Sequence, residues 1–280
     1  MPELPDVEGF RGYLARHAAG HRIVRVEVPD RELIRNSSAS ALSRAIIGQR
    51  FAHPLRHGKW LIAPVGELEL LLRFGMTGFL RWSSARDRAH GDSSHRQPRD
   101  PRGKPRDPYD RVIFDCDDGE LRYNNMRRFG GIWLARDARE RAAVTGPLGP
   151  DAAALERRTF NELLSKRRGS IKAALMDQRL IAGIGNLLSD EILWRARVHP
   201  ATPVASLGPN RRGRLFEALD ATVSESIRYG RVPHGERWLT RVRDDRGAIC
   251  PRCGARLRWA TIAGRTACWC PRDQPSRGGR

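Results

Sequence analysis

The residues best equipped for covalent chemistry come first in the chain. In Met1-Pro2-Glu3-Leu4-Pro5-Asp6-Val7-Glu8 a proline stands directly behind the initiator, so removal of Met1 would leave a secondary amine at the terminus. An α-amino group has a pKa of about 7.7–8.0, against about 10.4 for lysine, and near neutrality far more of it carries the free lone pair that attacks an aldehyde carbon. Glu3 is tethered close enough to move protons during that attack. The chemistry requires the loss of Met1, because with Met1 attached the Pro2 nitrogen is an amide. The plainer reading is a translation start followed by a first helical turn, a position that suits Pro5.

Metal chemistry concentrates at the other end. Four of the five cysteines lie between Cys250 and Cys270. Cys250-x2-Cys253 followed by Cys268-x-Cys270 has the spacing of a two-stranded hairpin clamped by one structural zinc ion, and a disulfide framework does not suit a reducing compartment. A third candidate is Gly183-Ile184-Gly185-Asn186. Here a helix start would turn its N–H groups outward and two glycines would admit a phosphate, with Asn186 either capping the helix or donating to that phosphate.

These residues need a scaffold. Pro5 to Ala18 reads as a helix with Val7, Phe10 and Leu14 on one side. The period then changes to two: Ile23 to Val28, Trp60 to Val65, Leu68 to Leu72 and Arg111 to Cys116 read as strands, with Asp117-Asp118-Gly119 turning into Glu120 to Tyr123. The first half is therefore an antiparallel β-sandwich with an N-terminal helix. Ser83 to Asp110 has almost no apolar residue and reads as an exposed basic loop. Residues 136–150 read as a linker. Helices are expected at Ala152 to Ser165, Ile171 to Gln178, Asn186 to Arg195 and Pro209 to Tyr229, giving an α+β protein in four parts: 1–135, 136–150, 151–240 and 241–280.

Charge narrows the partners. The 280 residues carry 51 Lys and Arg against 32 Asp and Glu, a formal charge of +19, and the excess is mostly arginine, whose planar fork suits phosphate. Nucleic acid is the leading partner. A membrane is not expected, since no apolar run approaches the roughly 18–20 residues of a span. The N-terminus lacks a signal pattern, so a cytoplasmic, nucleoid-associated protein is expected.

Pro2 to Glu8, His57-Gly58-Lys59-Trp60-Leu61, Phe74-Gly75-Met76-Thr77-Gly78, Met126-Arg127-Arg128-Phe129-Gly130, Asp177-Gln178 with Gly183 to Asn186, and the cysteine hairpin occur in one order. That order resembles the formamidopyrimidine-DNA glycosylase/endonuclease VIII family over nearly the whole chain. The resemblance implies a β-sandwich, a helix–two-turns–helix domain and a zinc finger, acting as a monomer on double-stranded DNA that contains a damaged base or an abasic site. It makes Pro2 the nucleophile at C1′ and Glu3 the acid/base of a bifunctional glycosylase and abasic-site lyase working through a Schiff base. Lys59, counted with the catalytic residues, together with Asn186 and Arg265, matches phosphate-gripping positions. Lys172 matches a further DNA-contacting lysine, and Met76, Arg127 and Phe129 match the residues that fill the gap left by a flipped nucleotide.

Three departures from the family pattern stand out. The finger ends Cys270-Pro271-Arg272-Asp273, so the expected zinc ligands are Cys250, Cys253, Cys270 and Asp273, with Cys268, on the same strand face as Cys270 by alternation, as the substitute. Asn125 stands where many relatives have an acidic residue. Only Gly230 to Gly247 separates the last helix from the finger, which argues against efficient removal of 8-oxoguanine and leaves formamidopyrimidines, oxidised pyrimidines, bare abasic sites or a bulky adduct. The competing readings are a non-catalytic or lyase-only relative that binds distorted DNA, and an RNA-binding zinc ribbon.

Overall fold

The computed structural model describes residues 2–84 and 107–276. Most of the basic stretch expected as an exposed loop, residues 85–106, lies outside the described residues. The chain divides into two compact units: Met1–Pro2, Val7–Arg56 and Trp60–Gly146 form one, and Glu3–Asp6, His57–Lys59 and Pro147–Arg280 the other. The architecture is α+β.

Helix α1, Leu4–His17, opens with half of a capping box: the Glu3 N–H donates to Asp6 Oδ2 at 2.8 Å, as an acidic residue at the third helical position does. In the first unit its spaced apolar residues Val7 and Leu14 enter the core, and Phe10 packs on Phe74 with ring centroids 4.4 Å apart. Two four-stranded sheets enclose that core. One runs β1 (Ile23–Glu27), β6 (Asp110–Cys116), β7 (Gly119–Asn124), β5 (Phe79–Ser84); the other runs β2 (Leu55–His57), β3 (Trp60–Val65), β4 (Leu68–Arg73), β8 (Gly131–Ala135). Cys116 pairs with Gly119, so Asp117-Asp118 is the two-residue turn that the sequence suggests.

Residues 136–150 are more structured than a linker. Ala138–Thr145 forms helix α3, following α2 (Ala39–Ile46) in chain order. Asp137 caps α3 by accepting from the Glu140 N–H at 2.8 Å, and Arg141 reaches Glu69 at 2.6 Å. The helix buries none of its residues, which is why no apolar period marked it.

In the second unit, Ala152–Ala154 is a separate 3₁₀ turn, because the Asp151 carboxylate accepts from the Ala153 N–H. The helix expected from Ala152 therefore begins only at α4, Arg157–Ser165. Helices α5 (Ile171–Met176), α6 (Asn186–Arg195) and α7 (Pro209–Tyr229) follow. Pro209 at the start of α7 and the left-handed Gly230 after its end fix that helix as its sequence requires. Between α5 and α6, Gln178 holds the double turn: its Nε2 donates to the Met176 and Ile184 carbonyls, and its Oε1 accepts from the Gly183 N–H. A hairpin of β9 (Arg258–Ile262) and β10 (Arg265–Trp269) ends the fold. No helix among the described residues is long and apolar enough to cross a membrane.

Candidate active site and metal centre

Glu3 is fully buried and its carboxylate sits on the start of α6. Oε2 accepts from the Gly185 and Leu188 N–H groups at 2.8 and 3.1 Å, and Oε1 accepts from Leu187 at 2.8 Å. A helix start presents unpaired donors and a positive dipole end, so an anion is stabilised there. A Cβ on Gly185 would lie 2.3 Å from Glu3 Cδ, and one on Gly183 would lie 2.4 Å from a Leu4 methyl. The glycines thus make room for the chain's own N-terminus, which corrects the expectation that they cradle a phosphate. Capping by Asn186 is excluded too, since Glu3 takes that role. Asn186 Oδ1 is enclosed without a hydrogen-bond partner among the described residues. Pro2, half-buried, precedes Glu3 by one peptide bond.

The His57-Gly58-Lys59 turn docks beside the same double turn. His57 Nε2 meets the Gly149 carbonyl at 2.9 Å, and the Gly58 N–H donates to Asp151 Oδ2 at 2.7 Å. A Cβ on Gly58 would lie 2.9 Å from Ala182 Cβ, so only glycine lets the turn approach this closely. Lys59, half-buried, belongs to this anchored turn between β2 and β3. Residues 3, 59 and 186, far apart in sequence, are thereby gathered around one turn.

In the first unit, Met76, Arg127 and Phe129 are exposed on two adjoining loops. The Arg127 guanidinium lies 5.3 Å from the centre of the Phe129 ring. Thr77 Oγ1 accepts from the Arg127 N–H at 3.1 Å, while buried Asn125 donates to the Tyr123 hydroxyl at 2.9 Å and to the Phe74 carbonyl at 3.3 Å. Asn125, in place of an acid, therefore braces the loop backbones from beneath.

Lys172 is not on a surface. Its side chain is fully enclosed, bonded to Asp190 and, at 3.2 Å, to Ser189 Oγ. It cannot reach DNA there, which corrects the sequence expectation. Burial pulls the Lys172 ammonium below its ordinary pKa and pushes Asp190 above its own, with their mutual attraction opposing both shifts. Removing one partner of such a pair costs about 3–5 kcal/mol. Asp190 also accepts from Arg243 Nε at 2.8 Å and from the Cys268 N–H at 3.2 Å. Arg265, exposed, opens β10 after a two-residue turn in which Ala263 and Gly264 both have positive φ.

Cys250, Cys253, Cys270 and Asp273 bring their ligand atoms within 4.8 Å of one another. Three thiols and a carboxylate gathered this closely suit a tetrahedral ion. Trp194 Nε1 donates to Cys250 Sγ at 3.3 Å, and Arg252 reaches Asp273 Oδ2 at 3.3 Å, the kind of outer contact that orients metal ligands. Cys268 is outside the cluster. Strand alternation does not carry from Cys268 to Cys270 because β10 ends at Trp269, and burial together with the Asp190 charge pushes the Cys268 thiol up to about 12.

Sequence reasoning missed Asp151, Asp190, Arg243 and the bracing role of Asn125. A local sign existed only for Asp151, in its capping position before a short helical turn.

The arrangement has close parallels among known proteins. Residues 1–132 match the formamidopyrimidine-DNA glycosylase N-terminal domain, and residues 148–234 match the formamidopyrimidine-DNA glycosylase H2TH domain. The formamidopyrimidine-DNA glycosylase of Acidothermus cellulolyticus is 33% identical over 293 residues, with 98% of each chain covered. That of Thermomicrobium roseum is 34% identical over 293 residues, covering 98% of this chain and 99% of the relative. Among solved structures, the Lactococcus lactis enzyme with DNA containing N7-benzyl-Fapy-dG aligns with a TM-score of 0.83 at 26% identity, over 98% of this chain and 100% of that one. The same enzyme bound non-covalently to DNA containing an AP site also gives 0.83 at 26% identity, with the same coverage. Both parts of the fold and nearly the full length agree, and the chain belongs to the formamidopyrimidine-DNA glycosylase family.

Proposed function

We propose that this protein is a monomeric, cytoplasmic DNA glycosylase and abasic-site lyase of base excision repair, with Pro2 as its nucleophile once Met1 is removed. The observation that carries the reading is Glu3: a carboxylate clamped by three backbone N–H groups, one residue from a proline amine, is a preorganised acid/base beside a nucleophile. The Pro2 lone pair attacks C1′ as the glycosidic electron pair leaves with the base, which takes up a proton. The attacking nitrogen gives its proton to Glu3, which passes it to O4′ as the C1′–O4′ bond breaks, and the ring opens to an iminium. That cation acidifies C2′, so loss of a C2′ proton expels the 3′ phosphate, and a second elimination can release the 5′ phosphate.

A damaged duplex as partner is supported by the Lactococcus lactis structures, solved with abasic-site and Fapy-containing DNA. Lys59, Asn186 and Arg265 would grip phosphates, and Met76, Arg127 and Phe129 would fill the emptied stack. Cys250, Cys253, Cys270 and Asp273 would hold one Zn2+, which when bound supplies a structural clamp for the hairpin. The segment from Gly230 to Gly247 is pinned by buried Trp238, over which Arg195 lies at 4.0 Å. This supports a substrate other than 8-oxoguanine: a formamidopyrimidine, an oxidised pyrimidine, a bare abasic site or a bulky adduct.

Borohydride added during reaction with abasic-site DNA should trap the processed enzyme covalently, whereas Pro2→Gly and a Met1-retaining form should trap poorly. Equal trapping by all three would overturn Pro2 as nucleophile. Trapping by none, with binding intact, would favour a non-catalytic relative.

A further inference from the structure

The buried charges Lys172, Asp190 and Arg243 have no part in the chemistry above, yet they meet at one carboxylate. One oxygen of Asp190 holds Lys172 of α5, and the other accepts from Arg243 Nε at 2.8 Å and from the Cys268 N–H of β10 at 3.2 Å. Arg243 in turn donates from Nη2 to the Thr266 carbonyl at 2.8 Å, and its own carbonyl accepts from Trp259 Nε1 of β9 at 2.8 Å. The carboxylate and the guanidinium thus fasten the backbone of the hairpin to α6. Thr266 follows Arg265 directly, and Asp190 lies four residues after Asn186, one turn along the same face of α6.

We propose that Asp190 and Arg243 are positioning residues that set Arg265 against Asn186, so that both grip one DNA backbone as a unit. The inference rests on the reading of Arg265 and Asn186 as phosphate contacts. Arg243 is itself only 6% exposed and cannot touch DNA, so any effect it has on binding must pass through what it holds. The pin uses the Thr266 carbonyl and the Cys268 N–H, neither of which belongs to the metal cluster. It therefore keeps Arg265 in register by a route separate from the metal.

The test is the salt dependence of binding to a duplex with a tetrahydrofuran abasic analogue, measured on the full chain. Arg265→Ala should lower the slope of log affinity against log salt by about 0.9, the loss of one phosphate contact. Arg243→Gln should lower it by the same amount, and the double variant should fall no further than either single one. Arg243→Lys, which keeps the charge but cannot bridge Asp190 and Thr266 together, should show the same flattened slope and serves if Arg243→Gln does not fold. Additive losses, or an Arg243 variant of lower melting temperature with an unchanged slope, would overturn the pin while leaving the phosphate contacts standing. An Arg265→Ala protein with wild-type affinity and slope would instead overturn the phosphate reading, and the inference with it.

Discussion

Gly185→Ala tests the seating of Glu3 with a single methyl group. The Gly185 backbone is extended, with φ −120°, so alanine adopts it without strain and the only insult is steric. The new Cβ would lie 2.3 Å from Glu3 Cδ and 2.4 Å from Oε1, which no rotation of the carboxylate in place relieves. Glu3 must leave, and three N–H···O bonds at the helix start go with it. A hydrogen bond to a charged group contributes about 1.5–3 kcal/mol, and such contributions do not add when they share one carboxylate. With water recovering part of the loss at half-buried Leu187, we expect a cost of about 3 kcal/mol, or a melting temperature lower by roughly 6–12 °C. If Glu3 is the acid/base proposed above, its displacement should lower the base-release rate by about 10²–10⁴-fold. Single-turnover excision on a lesion duplex measures that rate. The decisive comparison is Glu3→Gln made in both backgrounds: it should slow the wild-type protein strongly and the Gly185→Ala protein hardly at all. A Gly185→Ala enzyme of normal rate, or an undiminished Glu3→Gln effect in that background, would refute the idea that the helix start orders the catalytic acid/base.

Two other outcomes follow from the geometry. Asp273→Ala should lose bound metal to a chelator at least about tenfold faster than wild type, while Cys268→Ala should retain one equivalent; metal analysis after dialysis checks this, and the opposite ranking would return Cys268 to the ligand set. Glu8 accepts from Arg11 at 2.7 Å and from Arg56 at 2.9 Å; burial alone would raise its pKa, but the two guanidiniums prevail and hold it below the ordinary value. Because the folded pKa is the lower one, this stabilisation is present above the unfolded value near 4.5 and is lost as pH falls through the folded value. Glu8→Gln should therefore cost about 1.5–3 kcal/mol at pH 7 and almost nothing at pH values below the folded pKa, as read by urea unfolding.

The parts of the fold legible in the sequence are those with a period and a stop. Ile23–Glu27, Asn186–Arg195 and Pro209–Tyr229 lie where alternation, a glycine break or an N-terminal proline put them. Short strands such as β2 and a helix such as α3, which buries nothing, carry no such period. The candidate site was legible as residue types but not as contacts. Gly183 and Gly185 look like a phosphate cradle until Leu4 and Glu3, the latter 182 positions from Gly185, are seen to fill the space. Lys172 looks like a surface cation because its partner lies 18 positions on, inside another helix. For the metal, Asp273 and Cys268 were both open from spacing, and the end of β10 at Trp269 separates them.

The seat for Glu3 is built from residues synthesised late. When the N-terminal proline leaves the ribosome, the amides of Gly185, Leu187 and Leu188 have not yet been made, and roughly two thirds of translation passes before they exist. A chain released early would carry the amine with no ordered carboxylate beside it. On the proposed role of Pro2, incomplete chains would be disarmed by chain order alone, since the Glu3 carboxylate is ordered only after residues 185–188 have been made.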